Sequence, residues 1–225
     1  MKHIWKSQVW AAILTVATLL TVTGCKSDEN NDESSVDLSN ISSAMVDEGS
    51  TEAISTDYAY IMNPDGTISI SGYNGADTAL EIPTTIDGYV VTQIGDHAFE
   101  ANHDITSVTL PNGLVDIGES AFSDCSSLSA IVIPDTVGTI SRAAFVGCTS
   151  LESLHIPASV SEIKEEAFTG CSKLIDLTIE SDTLQYTSWG LDKEVNSTDL
   201  VITCPVGSPI EEWAEKNGFN TSPLS

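Results

Sequence analysis

The stretch Cys125-Ser126-Ser127-Leu128-Ser129-Ala130-Ile131-Val132-Ile133-Pro134-Asp135-Thr136-Val137-Gly138-Thr139-Ile140-Ser141-Arg142-Ala143-Ala144-Phe145 decides how this chain folds. Its apolar residues come back elsewhere at one fixed interval. Phe99, Phe122, Phe145 and Phe168 are evenly spaced, each preceded by alanine: Ala98, Ala121, Ala144 and Ala167. Ile94, Ile117, Ile140 and Ile163 keep the interval, as do Pro111, Pro134 and Pro157. Asn102, Cys125, Cys148 and Cys171 hold one register, and Ile105, Leu128, Leu151 and Leu174 the next. Val108, Ile131, Leu154 and Leu177 follow, then Leu110, Ile133, Ile156 and Ile179. So many positions in phase exclude coincidence, and a fixed period of this size is the mark of a stacked solenoid.

Physical chemistry requires the stack. One unit carries too few apolar side chains to offset the entropy of ordering it alone. Piling units up buries their flat faces and bonds each coil to the next. Aromatic residues are only 6% of the chain, so the core is mostly aliphatic. Upstream, Tyr58 to Ile70 reads as a hairpin around Asn63-Pro64-Asp65-Gly66. That tetrapeptide lacks the spaced aspartates and distal glutamate of a calcium loop, so it is read as turn chemistry. Downstream, Glu180 stands where the next proline would fall, and a strand-like Leu200 to Thr203 follows a less regular stretch. Ser208 to Gly218 has a capping serine, Pro209 at the first turn, early acids and a closing glycine, the pattern of a helix. Trp213 on that helix is expected to seal the last coil.

With Cys-x-x-Leu, Ala-Phe and the proline all in phase, the repeat resembles the BspA-like, or Treponema pallidum-type, leucine-rich repeat. The resemblance covers roughly residues 58–220. It implies a β-rich leucine-rich-repeat solenoid, a right-handed α/β-type coil with short helical or 3-10 turns, a β-hairpin cap before it and a helix cap after. The expected layout is an N-terminal β cap at 58–82, repeats at 83–179 and a C-terminal cap at 180–225. The first copy departs from the pattern: Pro83 precedes Pro111 by more than one period, with Ile86-Asp87-Gly88-Tyr89 inserted.

The amino end reads as targeting. Lys2 and Lys6 precede Val9 to Val22, which is mostly apolar but shorter than the ~20 residues that span a bilayer. It ends in Leu20-Thr21-Val22-Thr23-Gly24-Cys25, which resembles a bacterial lipobox. That resemblance implies a signal peptide at 1–24, cleavage before Cys25, and Cys25 as the site of lipid attachment. Residues 26–57 hold one base, Lys26, and nine acids, and no aromatic residue. Such a segment cannot bury enough surface to order itself and reads as an extended tether. The expected location is the cell envelope, lipid-anchored and facing outside the cytoplasm. Acids soon after the cysteine resemble a surface-export signal of some Bacteroidetes lipoproteins.

The formal charge of −25 repels phosphate backbones and excludes nucleic acid as a partner. No CxxC occurs and the four histidines are scattered, so no metal site and no cofactor is expected. Cys125, Cys148 and Cys171 form a ladder, one per coil, read as small buried hydrophobes rather than disulfides, because parallel side-chain vectors disfavour that geometry. Cys204 has no evident partner in the sequence.

In a leucine-rich coil the variable strand positions face the inner sheet surface. Here these are Thr106, Ser107 and Thr109; Ser129, Ala130 and Val132; Glu152, Ser153 and His155; and Ile175, Asp176 and Thr178. The last two rows combine charge with an apolar side chain, so Glu152, His155, Ile175, Asp176 and Thr178 are the candidate partner-binding residues. Ser153, His155 and Asp176 share that face, but a flat sheet without an oxyanion turn does not make a hydrolase of them. The family resemblance implies a role in adhesion to host matrix proteins or in contact between bacteria, and the expectation is a non-enzymatic, monomeric protein that binds a protein or glycan. The alternatives are a structural or accessory envelope lipoprotein and, more remotely, a hydrolase.

Overall fold

The computed structural model describes residues 57–192 and 199–224. Cys25, the leader and the tether up to Thr56 lie outside the described residues. The described chain opens with an antiparallel hairpin of β1 (Tyr58–Met62) and β2 (Ile68–Tyr73), turned at Asn63 to Gly66. β3 (Ala79–Glu81) begins an inner row of strands. A hairpin of β4 (Thr85–Ile86) and β5 (Tyr89–Ile94) follows; β5 joins the outer sheet. Thereafter each coil adds one strand to each side: β6 (Ser107–Thr109) and β7 (Asp116–Ile117), β8 (Ala130–Val132) and β9 (Thr139–Ile140), β10 (Ser153–Ile156) and β11 (Glu162–Ile163). β12 (Asp176–Ile179), β13 (Val201–Cys204), helix α1 (Pro209–Lys216) and β14 (Asn220–Pro223) complete the stack.

The outer sheet runs β1-β2-β5-β7-β9-β11. The inner row runs β3-β6-β8 and then β10-β12-β13-β14, with β8 and β10 in contact but not paired as a ladder. Neighbouring coils pair in parallel with the 23-residue offset the sequence announces, Leu154 beside Leu177 and Ile117 beside Ile140. The ladder starts at Ala79 and continues past Ile179 to Pro223, so the terminal strand is β14, which follows the helix.

A third set of bonds closes the coils. The amides of His97, Phe99 and Ala101 donate to the carbonyls of Glu119, Ala121 and Ser123, and the next two coils repeat the pattern. This geometry requires two left-handed residues per coil. They fall at His97, Ser120, Ala143 and Glu166, and at Ala101, Asp124, Gly147 and Gly170. Six of these eight are not glycine, and each accepts a conformation that costs ~1–2 kcal/mol for an L-residue. The expected helical turns therefore take the form of single i to i+3 turns between left-handed residues.

The core lies between the two sheets. Phe99, Phe122, Phe145 and Phe168 are buried and stack at centroid distances of 5.0, 5.5 and 6.1 Å. Tyr73 closes one end of the column and Trp189, meeting Phe168 edge-on, the other. Cys125, Cys148, Cys171 and Cys204 are buried thiols. The Sγ of Cys125, Cys148 and Cys171 donates to the carbonyl of Phe99, Phe122 and Phe145 respectively, at 3.1–3.2 Å. Cys204, partnerless in the sequence, is buried in β13, and its backbone carbonyl accepts from the amide of Leu224.

The helix forms where the sequence placed it. Ser208 caps it by accepting from the amide of Glu211, Pro209 occupies its first turn, and Gly218 leaves it at φ 75°. Trp213 is half-buried, stacked on Tyr186 at 3.7 Å and on Phe219 at 5.3 Å.

Candidate binding surface

Alternation along the inner strands settles which side chains are presented. In β10 the pattern is exposed Ser153, buried Leu154, exposed His155, buried Ile156. β12 follows one coil on with Asp176 exposed, Leu177 and Ile179 buried and Thr178 half-buried, Ser153 lying beside Asp176 and His155 beside Thr178. Ser153, His155, Asp176 and Thr178, with Glu180 and Leu224, line an open depression of about 500 Å³.

Within it His155 Nε2 meets Glu180 Oε1 at 3.0 Å. Thr178 Oγ1 donates to Asp176 at 3.4 Å. Glu180 also accepts from the amide of Ala158 at 3.2 Å. The carboxylate that replaces a proline in the repeat thus ties two coils together, a role the broken phase at 180 signals. Glu152 and Ile175, also candidates from the sequence, stand just before β10 and β12 and do not line the depression; the carbonyl of Glu152 accepts from the amide of Ile175. Ile175 is 49% exposed. Leu224, brought in by β14, had no signal in the sequence.

The hydroxyl-rich rows behave differently. Ser129 Oγ reaches back to the carbonyl of Thr106, and Thr106 Oγ1 to that of Thr78. Around the coil Thr136, Thr149 and Ser159 do the same to Leu114, Ser126 and Val137. These hydroxyls complete the backbone of the coil before them. Burial of the cysteine ladder pushes the thiols of Cys125 and Cys171 up to about 12, and that of Cys148 higher still, so they offer no thiolate to a metal or substrate. Among the described residues no group of three metal-ligating side chains gathers.

The surface carries one arginine-centred network. Arg142, the single arginine of the chain, meets Glu119 of the preceding coil at 3.3 Å and Glu166 of the following coil at 2.9 Å.

Short parallel strands in a fixed repeat, an aliphatic interior and a phenylalanine column define a leucine-rich-repeat solenoid. The chain belongs to the BspA type leucine rich repeat family, whose pattern matches residues 89–207 in six copies. The crystal structure of the Treponema pallidum leucine rich repeat protein is similar over 69% of this chain and 72% of its own, at 29% identity and a TM-score of 0.62. A leucine rich cell surface protein from Faecalibacterium prausnitzii is 29% identical over 68% of this chain and 45% of its own, with a TM-score of 0.54. The pneumococcal vaccine antigen PcpA shares the fold at 20% identity over 75% of this chain and 48% of its own, with a TM-score of 0.53. No match to this chain occurs among the curated proteins.

Proposed function

We propose that this chain is a lipid-anchored, extracytoplasmic binding protein that holds a protein or glycan ligand on its inner row of strands, in adhesion or cell-surface contact. The observation that carries the reading is the charged depression across β10 and β12, set on a stack whose large apolar side chains are mostly spent in the core. Cys25 after a short apolar segment supports the anchor, and the cell-surface description of the Faecalibacterium relative supports the location. Binding is favoured over hydrolysis because His155 is engaged by Glu180 and Asp176 by Thr178, and the depression is open to water.

The test presents the purified protein to immobilised matrix proteins and to a glycan array, beside a Glu152→Ala, His155→Ala, Ile175→Ala variant. Retention of the wild type and loss with the variant supports the reading. A folded variant that binds as tightly as wild type moves the site off the inner row.

A further inference from the structure

The outer sheet carries a second surface that the inner-row reading does not use. Pairing aligns Ile61, Ser69, Gln93, Asp116, Thr139 and Glu162 in one straight row across β1, β2, β5, β7, β9 and β11. At ~4.8 Å per strand the row is ~24 Å long. Beside it Gly95 and Gly118 let neighbouring coils approach closely. A Cβ at Gly95 would lie 2.7 Å from the carbonyl of Ile70, and one at Gly118 would lie 2.7 Å from the amide of Asp96. Residues of the row, with Gly95, Asp96 and Gly118 beside it, line a trough of about 560 Å³.

The chemistry of the trough is one-sided. It holds the carboxylates of Asp96, Asp116 and Glu162 against one ammonium, Lys164. Asp116 accepts from Gln93 Nε2 at 3.3 Å and Asp96 from the amide of Glu119 at 2.8 Å. Each carboxylate has further lone pairs to offer, since an ionised carboxylate accepts at about four positions. No aromatic side chain lines the trough, so it lacks the stacking platform that would favour a sugar ring. Ile61, 63% exposed, supplies an apolar contact at one end. Asp116 and Glu162 sit two strands apart, ~10 Å, within reach of lysine or arginine side chains spaced along an extended peptide.

We infer that this trough binds an extended, basic segment of a partner protein. The occupant is identified by charge complementarity: a positively charged strand neutralises Asp116 and Glu162, which the fold sets in line, and Asp96 beside them, against the single ammonium of Lys164. This trough lies on the outer sheet, apart from the inner row of strands.

The experiment measures binding of fluorescent peptides to the purified full chain at ~0.15 M salt. The probes are a seven-residue peptide alternating lysine and serine and its glutamate counterpart. Three proteins are compared: wild type, an Asp96→Asn, Asp116→Asn, Glu162→Gln variant, and a control with equal charge removed elsewhere, Asp104→Asn, Asp135→Asn, Asp182→Asn. The trough variant should lose about tenfold in affinity for the lysine peptide, and the control less than about threefold. Lys164→Glu, a single exposed change, should strengthen binding and guards against a folding defect in the triple variant. Equal losses in the trough and control variants would mean diffuse attraction to an acidic protein and would overturn the assignment. So would unchanged affinity in the trough variant, or preference of the trough for a neutral oligosaccharide over the lysine peptide.

Discussion

Replacing Phe145 with alanine tests the core directly. Phe145 is fully buried and stacked between two rings, Phe122 at 5.5 Å and 3° and Phe168 at 6.1 Å and 15°. Its amide bonds Ala167 and its carbonyl receives the thiol of Cys171, so the backbone is fixed on both sides and cannot collapse freely into the void. Phe→Ala in a core costs ~3–5 kcal/mol. Two stacked faces, each worth ~0.5–1.5 kcal/mol beyond burial, place this site near ~4–5. For a domain of this size that is roughly 10–15 °C in melting temperature. Because coils are stabilised by their neighbours, the loss should also separate unfolding of the two flanks and lower the denaturant m-value. Thermal and urea melts followed by circular dichroism measure both, with exposed Thr109→Ala as a control expected to change stability by less than ~0.5 kcal/mol. A Phe145→Ala protein that melts within two or three degrees of wild type would falsify the stacked-column account of stability.

The three ladder thiols should resist iodoacetamide in the native protein and all react after denaturation without reductant; a disulfide among them in mass spectrometry contradicts the structure. Their raised pKa values keep the native state protonated, so this part of the stability is complete below pH ~9 and drains away as pH rises toward about 12. An alkaline melt that is flat across that window contradicts the burial of the thiols. Gly190→Ala should cost more than the ~1–2 kcal/mol of a left-handed alanine, because φ is +82° and the new Cβ would overlap Thr169; equal melting of mutant and wild type would refute the close approach. Arg142→Ala should lower the melting temperature at low salt by exposing Glu119 and Glu166 to each other's field, with the difference shrinking as salt rises; a salt-independent difference would mean lost packing instead. Cys25→Ala should release the protein from the membrane fraction or leave its leader uncleaved, and a variant processed and retained like wild type removes the lipid anchor from the proposal.

The solenoid was legible because a stack constrains the same positions in every coil. Phe145, Cys148 and Pro157 meet copies of themselves above and below, so their phase survives in the sequence. The ends were less so, since a terminal coil has one neighbour. Trp189 takes the place of the next phenylalanine but arrives short of a full period after Phe168, out of phase. β14 is Asn220-Thr221-Ser222-Pro223, polar and proline-ended, and nothing in its composition announces a strand; its place comes from pairing with β13. The left-handed positions were hidden too, because six of the eight carry side chains. At the candidate site, alternation named His155, Asp176 and Thr178, while Glu180 was visible only as a missing proline.

The bonds that thiols and hydroxyls donate from coil to coil point one way. Cys125, Cys148 and Cys171, and likewise Thr106, Ser129, Thr136 and Ser159, satisfy carbonyls that lie earlier in the chain. These side-chain bonds are therefore vectorial, while backbone amides such as those of His97, Phe99 and Ala101 donate the other way, to the coil that follows. During synthesis, amino end first, the emerging edge carries open acceptors that side chains of the next repeat close. Loss of a coil from the carboxyl end strips these donors from backbone already in place, whereas loss from the amino end leaves the donors themselves without acceptors. Growth of such an array by internal duplication keeps every such donor matched to its acceptor.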